Sequence, residues 1–406
     1  MRATLNYHGY RYFPYEKQFA EAELGALGAQ IRASEAGKIE AEIPMSEYQE
    51  LRRLTYFSSI SCETSEIIVP DQARWEASAH PSASSRAVLS RQATRYSLHG
   101  LHEYKGRFNP QVVRAIGNMI GLKPNALVVD PYGGCGTVLL EALHLGWNAI
   151  GFDLNPLGTY LSNSKVELAR SRESSVRSDI LSAINVSCAL SAGVEDWSDP
   201  LPSEKRTQME AFSRKTKIPG EEYLSRWFPA DVLLQLRCIL EIIAGRKMEV
   251  AQRGLFACSS NMLREIGLQE PADLRVRRRK SPQANYPALP MFLGESQRLL
   301  GMLGRIDGLR DLVPNGTKQV AVTHDSREDW GIHLRNLIAD RSPAKIDAVI
   351  TSPPYANALP YIDTQRLSLI FLGLLGAKEL RQYERRLTGS REITQTERKA
   401  LEERIG

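Results

Sequence analysis

Two short segments, far apart in the chain, carry residue types that could hold a nucleoside and act on an amine. The first is Asp130-Pro131-Tyr132-Gly133-Gly134-Cys135-Gly136-Thr137. It follows the apolar run Ala126-Leu127-Val128-Val129 and precedes Val138-Leu139-Leu140-Glu141-Ala142-Leu143, which has helical spacing, so it reads as a strand-to-helix turn. Glycines there let the backbone approach a ligand closely. A second strand pattern, Asn148-Ala149-Ile150-Gly151-Phe152, ends in Asp153, about 20 residues on, where a carboxylate can accept hydrogen bonds from ribose hydroxyls. Alone, this half-site suits a methyl donor or a nicotinamide or flavin dinucleotide equally well. The second segment, Thr351-Ser352-Pro353-Pro354-Tyr355, follows the buried-strand pattern Ile346-Asp347-Ala348-Val349-Ile350, at the carboxyl end of which open α/β sheets bind their ligands. Prolines there fix φ and leave carbonyls without competing amide donors. A hydroxyl from Ser352, a carbonyl from Pro353 and a ring from Tyr355 are what holding a planar exocyclic amine requires. The competing reading is a proline-stiffened turn after a core strand.

Both segments in one chain resemble the DNA amino-methyltransferases, specifically the cytosine-N4 type, which use S-adenosylmethionine. In that family the tetrapeptide is commonly Ser-Pro-Pro-Tyr for cytosine and begins with Asp or Asn for adenine, so Ser352 favours cytosine and Ser352, Pro353, Pro354 and Tyr355 are the catalytic candidates. The resemblance makes Asp130, Tyr132, Gly133, Gly134, Gly136, Thr137, Asp153 and Asn155 the cofactor-binding candidates of the first half. His102 to Gln111 resembles the family's upstream segment, with Phe108 at the position packing by the methionine moiety. Val322-Thr323-His324-Asp325-Ser326-Arg327 resembles the segment reading the adenine amino group, with Asp325 as the candidate. The implied activity is site-specific methylation of double-stranded DNA, on a base flipped from the helix, with a cognate restriction endonuclease as a partner. The alternatives are an adenine-N6 enzyme, a tRNA guanine-N2 enzyme, whose Pro-Pro-Tyr is usually preceded by Asp, and a chain that binds DNA without turnover.

The resemblance covers residues 96–160 and 320 to the end. It implies an α/β fold, a Rossmann-like methyltransferase sheet, with the cofactor half first and the catalytic half second. After Tyr355 about 50 residues remain, too few for the three further strands and helices of a doubly wound sheet. The expectation is therefore a sheet lacking its carboxyl-terminal strands, completed by a second chain or shortened. Five parts follow: a small α+β unit over 1–75, a linker over 76–95, the cofactor half over 96–160, a mostly helical insertion over 161–317 as the target-recognition candidate, and the catalytic half over 318–406. Within the first part Tyr7, Tyr10, Tyr12, Phe13 and Tyr15 read as core, with a helix over 17–27, a strand over 38–43 and a helix over 46–54. Residues 70–90, with Pro, Ala and Ser, read as a linker or partly ordered crossing. Helical patterns in the insertion cover 174–192, 230–244, 246–266 and 289–303. Arg226 and Trp227 either meet DNA or, as a Trp-Phe pair before a helix, anchor packing; the second is favoured. Residues 367–375 read as the helix after the catalytic strand, and the tail from Lys378 as charged and solvated.

With 52 Lys and Arg against 47 Asp and Glu in 406 residues, the balance permits nucleic acid without requiring it. The densest positive cluster is Arg275, Arg277, Arg278, Arg279 and Lys280, in a stretch without helical or strand period. It reads as a flexible loop for DNA phosphates, against the alternative of a solvated charge run. Cys62, Cys135, Cys188, Cys238 and Cys258 have no metal-ligand spacing, no amino-terminal stretch resembles a signal, and no membrane segment is expected. A reducing, cytoplasmic setting follows. Cys135 as a covalent thiolate for carbon-5 chemistry is set aside, because no Pro-Cys dipeptide occurs and amino-nitrogen transfer needs no enzyme nucleophile.

Overall fold

The computed structural model describes residues 1–63, 66–79, 91–273, 277–338, 345–354, 361–388 and 395–405. Along β1 (Arg2–Tyr7), Ala3, Leu5 and Tyr7 are buried, the period-two pattern of a half-covered strand. α1 (Pro14–Ala26) adds Ala20 and Leu24 to the same core. With β2 (Gln30–Ser34), β3 (Lys38–Glu42), β4 (Phe57–Cys62) and β5 (Ile67–Ile68), β1 forms an antiparallel sheet of order β2-β3-β1-β4-β5. The helix expected over 46–54 is a 3₁₀ run, Met45–Arg53. Only Leu51 in it is buried, so it has no apolar stripe to hold an α-helix. Residues 71–77, expected as linker, form α2 (Asp71–Ala77), because Trp75 is fully buried and stacks on His144 with ring centroids 4.4 Å apart.

The next stretch alternates helix and strand: α3 (Pro110–Met119), β6 (Leu127–Asp130), α4 (Thr137–Leu145), β7 (Asn148–Asp153) and α5 (Pro156–Arg170). α3 and α5 start alike. The Asn109 and Asn155 side chains accept from the N–H groups of Gln111 at 2.9 Å and Leu157 at 3.1 Å, and proline takes the first helical position in each. α5 runs across residue 160, so the boundary expected there falls inside a helix.

The insertion contributes α6 (Glu173–Ser191), α7 (Ser203–Phe212), α8 (Glu221–Leu224), α9 (Ala230–Ala244), α10 (Glu249–Met262) and α11 (Ala288–Asp307). Along α9, Val232, Leu236, Ile239 and Ile243 recur at helical spacing and are fully buried in the main core. Each such side chain stabilises the fold by about 1.5–3 kcal/mol. Leu140 and Leu143 of α4 and Leu157 and Leu161 of α5 share that core, so the insertion packs directly on the cofactor half.

β8 (Gln319–Thr323), α12 (Gly331–Ile338), β9 (Ala348–Val349), α13 (Tyr361–Phe371), α14 (Leu380–Arg386) and α15 (Gln395–Ile405) follow. Among the described residues the second sheet has order β8-β7-β6-β9 with every pairing parallel. Leu127, Val128, Val129 and Asp130 are all buried, as expected of a strand covered on both faces. The chain moves outward from β6 to β7 to β8, then returns to the other side of β6 as β9. The strand order therefore reverses between β6 and β9, and a crevice for ligands opens outside the strands' carboxyl ends at such a point. The tail expected to be solvated from Lys378 is only partly so, because Leu380, Tyr383 and Leu387 pack against the main core. No helix among the described residues is long and apolar enough to cross a membrane.

Candidate active site

The turn after β6 and the acid after β7 are built as one unit. Gly133 N–H donates to the Phe152 carbonyl at 2.8 Å, and the Gly134 and Asn155 N–H groups each donate to a different oxygen of Asp153 at 2.7 Å. Burial outweighs those two donors and pushes the Asp153 carboxyl up to about 6. Gly136 has φ +80, and a Cβ there would meet Ser162 Oγ at 2.6 Å; a Cβ on Gly158 would meet the Gly134 carbonyl at 2.6 Å. Close packing of the first turn of α5 under the glycine turn thus requires glycine on both sides. Below it, the buried Lys165 ammonium donates to the Cys135 carbonyl at 2.9 Å.

Asp130 connects this half to the second segment. Its Oδ1 accepts from the Thr351 hydroxyl at 2.7 Å and the Tyr132 N–H at 3.1 Å, and burial pushes the carboxyl up to about 7, Asp153 adding to the shift. Thr351 therefore anchors the start of Ser352-Pro353-Pro354 to the end of β6.

A cleft open to solvent lies at the switch point. Tyr132, Gly134, Asp153, Asn155, Asp325, Ser352, Pro353 and Pro354 line it, so both halves read from the sequence meet there. Asp325 is paired: Arg327 reaches its two oxygens at 2.9 and 2.7 Å, Arg386 lies at 3.6 Å, and these partners hold the carboxyl at about 2. The Ser352 hydroxyl has no hydrogen-bond partner among the described residues and is half-buried, which leaves it available to a ligand.

Several candidates sit elsewhere. Phe108 is partly buried against the core cluster that holds Val113 and Val138 and does not line the cleft; Tyr104 and Gly106, from the same loop, do. Asp130 and Thr137 are buried behind the wall, Thr137 donating to the Phe108 carbonyl at 3.4 Å. Asn155 lines the cleft, but its side chain is committed, capping α5 through Oδ1 and donating through Nδ2 to Gln365 of α13 at 2.6 Å. Tyr355 and Arg275 lie outside the described residues. Tyr361, Arg386, Leu387 and Thr388 also line the cleft, and sequence reasoning missed them. Cys135 is buried and away from the cleft lining.

The basic stretch is pinned to the fold. Glu270 N–H donates to the Arg277 carbonyl and Arg279 N–H to the Leu268 carbonyl, both at 2.8 Å, around an antiparallel bridge between Gln269 and Arg278. The Arg279 guanidinium is spent on the carbonyls of Gly267 at 2.9 Å, Gln269 at 3.1 Å and Glu265 at 2.5 Å, so it is a structural cation. Arg277 pairs with Asp273 at 3.2 Å, while Arg278 and Lys280 are exposed.

His99, Glu141 and His144 bring ligand atoms within 4.8 Å of one another. Arg114 Nε donates to Glu141 at 3.2 Å and the Tyr96 hydroxyl donates at 2.9 Å. The carboxylate is thereby neutralised by an arginine, and the trio reads as a buried network joining α4 to residues 96–99.

No family model matches the chain. It is similar to the Type II methyltransferase M.BsoBI of Geobacillus stearothermophilus, 24% identical over 313 residues, covering 73% of this chain and 58% of that protein. It is likewise similar to the Type II methyltransferase M.MvaI of Kocuria varians, 24% identical over 291 residues, 69% of this chain and 59% of that one. A shorter match, 31% identical over 80 residues, joins 20% of the chain to 15% of the Type II methyltransferase M.MjaII of Methanocaldococcus jannaschii. The chain thus spans less than two thirds of the length of each of these curated relatives.

Proposed function

We propose that the chain is an S-adenosylmethionine-dependent, site-specific DNA methyltransferase acting on the exocyclic N4 of cytosine. The observation that carries this reading is that Gly134 and Asp153 line the same cleft as Ser352, Pro353 and Pro354. The likeness to Type II methyltransferases supports it. The cleft fits a cationic nucleoside cofactor, because Asp153 presents a carboxylate that burial destabilises and that a nearby positive charge relieves.

In this reading Asp153 accepts ribose hydroxyls on the lone pairs not used by the Gly134 and Asn155 N–H groups, and Asp325 accepts from the adenine amino group. When bound, the cofactor supplies an electrophilic methyl on a sulfonium. The Ser352 hydroxyl and Pro353 carbonyl accept the two amino hydrogens of a base flipped from the helix, drawing the nitrogen lone pair out of ring conjugation. Tyr355 is the candidate for stacking on that base. The residues act by orientation, and no side chain is asked to form a covalent bond.

Transfer of labelled methyl to duplex DNA, with digestion to nucleosides, tests the proposal: N4-methylcytosine supports it, and N6-methyladenine overturns the argument from Ser352. A second reading, a tRNA guanine-N2 methyltransferase, is favoured by the amino-terminal unit with its own antiparallel sheet, whose α1 packs on α3. Ser at 352 argues against it, and label in tRNA supplied in parallel would promote it.

A further inference from the structure

Trp227 follows α8, is half-buried, and is met by two guanidinium groups from distant parts of the chain. Arg278, in the pinned ladder, has its Cζ 5.4 Å from the ring centroid; Arg366, on α13, has its Cζ at 4.1 Å. Both distances are within cation–π range. The ring is fixed from its own backbone as well, since the Leu268 N–H donates to the Trp227 carbonyl at 2.7 Å, and Arg278 closes the ladder by donating to the Arg226 carbonyl. Trp227 therefore joins three pieces: the segment 226–228, the ladder that pairs 268–270 with 277–279, and the helix that follows the Ser352-Pro353-Pro354 segment.

Arg226, Arg278 and Lys280 are exposed and form no ion pair with a carboxylate among the described residues. Against the same ring, the Nε and Nη2 groups of Arg366 are buried without a hydrogen-bond partner among the described residues, and its Nη1 group pairs with Asp363 at 3.3 Å. The patch is also tied to the cleft. Tyr361, on the cleft wall, and Arg366 lie five residues apart on α13, a rise of roughly 7.5 Å.

We infer that Arg226, Arg278 and Lys280 form a phosphate-contacting surface for the DNA strand entering the cleft, and that Trp227, clamped by Arg366, is the positioning residue that sets its distance from Ser352. This inference rests on the proposed DNA reading and replaces the five-residue loop read from the sequence with a different set. Arg279 leaves the surface, because its donors are used on backbone carbonyls, and Arg226 joins it. Contacts of this kind hold register and carry no sequence information.

Anisotropy titration of a labelled duplex over a range of salt concentrations, with calorimetric titration of S-adenosylmethionine on the same preparations, is the test. Each phosphate contact contributes about 0.9 to the slope of log affinity against log salt. The combined Arg226→Gln, Arg278→Gln and Lys280→Gln variant is expected to lose about 2 to 3 in slope, with cofactor affinity unchanged. Arg279→Gln is expected to keep the wild-type slope. Trp227→Ala is expected to reduce the slope as Arg278→Gln does, and Trp227→Phe, which keeps a ring for both guanidinium groups, to restore it. A wild-type slope in the combined variant overturns the surface while leaving the DNA reading intact. A wild-type protein that binds tRNA and not the duplex overturns both.

Discussion

Asp153→Asn isolates what the acid at the end of β7 does. Its two oxygens each accept one backbone N–H at 2.7 Å, from Gly134 and Asn155. A hydrogen bond to a charged group contributes about 1.5–3 kcal/mol net. Asparagine keeps one acceptor and turns a donor toward the other N–H, so one of the two bonds is lost and the glycine turn loosens. If the whole loss is expressed in ligand affinity, at about 1.4 kcal/mol per tenfold, S-adenosylmethionine binding weakens by roughly 10- to 150-fold. The substitution is nearly isosteric and the residue is at the cleft wall, so the fold is expected to survive. Calorimetric titration with the methyl donor, beside thermal unfolding without ligand, measures both effects. Affinity within twofold of wild type, in a protein that melts normally, would refute both the ribose role and the turn-bracing role of Asp153.

Three further outcomes follow. Ser352→Ala removes one acceptor of an amino hydrogen, about 1–1.5 kcal/mol, and is expected to lower kcat roughly tenfold with S-adenosylmethionine affinity retained; a loss confined to KM for the cofactor would contradict the assignment. Asp130 is raised to about 7, so the stability it contributes is complete below the ordinary aspartate pKa and is lost as pH rises through 7. Asp130→Asn keeps an acceptor for Thr351 and should therefore melt higher than wild type at pH 8, with the gain smaller at pH 5 and gone only below about pH 4; a gain that does not change with pH would show that Asp130 does not titrate in this window. Gly158→Ala brings a Cβ to 2.6 Å from the Gly134 carbonyl and is expected to displace the glycine turn, weakening cofactor binding at least tenfold by titration.

The βα turn was legible because its signals are local. Apolar runs end in Asp130 and Asp153, glycines stand where the turn needs them, and the helix after it has a clear period. α9 was legible to the residue because Pro229 starts it, Gly245 ends it and the buried positions between them have strict helical spacing. What was not legible depends on tertiary placement. Nothing in the run from His102 to Phe108 says which aromatic ring turns to the cleft, and it is Tyr104, four residues before the expected Phe108. Leu387 and Thr388 reach the cleft only because Leu380 and Tyr383 anchor the preceding helix on the main core. A charge run in a sequence cannot disclose that Arg279 faces four backbone carbonyls while its neighbour Arg278 meets a tryptophan ring. One signal was present and unused: Asn-Pro at 109–110 and again at 155–156 marks two helix caps, which already commits Asn155 to the backbone of α5.

The central claim is transfer of a methyl group to the amino nitrogen of cytosine in DNA. Its most direct test is incubation of the purified chain with unmethylated DNA and S-adenosylmethionine carrying a deuterated methyl, followed by digestion to nucleosides and mass spectrometry. The expected product is N4-(trideuteromethyl)-2′-deoxycytidine, formed roughly tenfold more slowly by Ser352→Ala at matched times. Deuterated methyl found only on adenine, or only in RNA added alongside, would contradict the account.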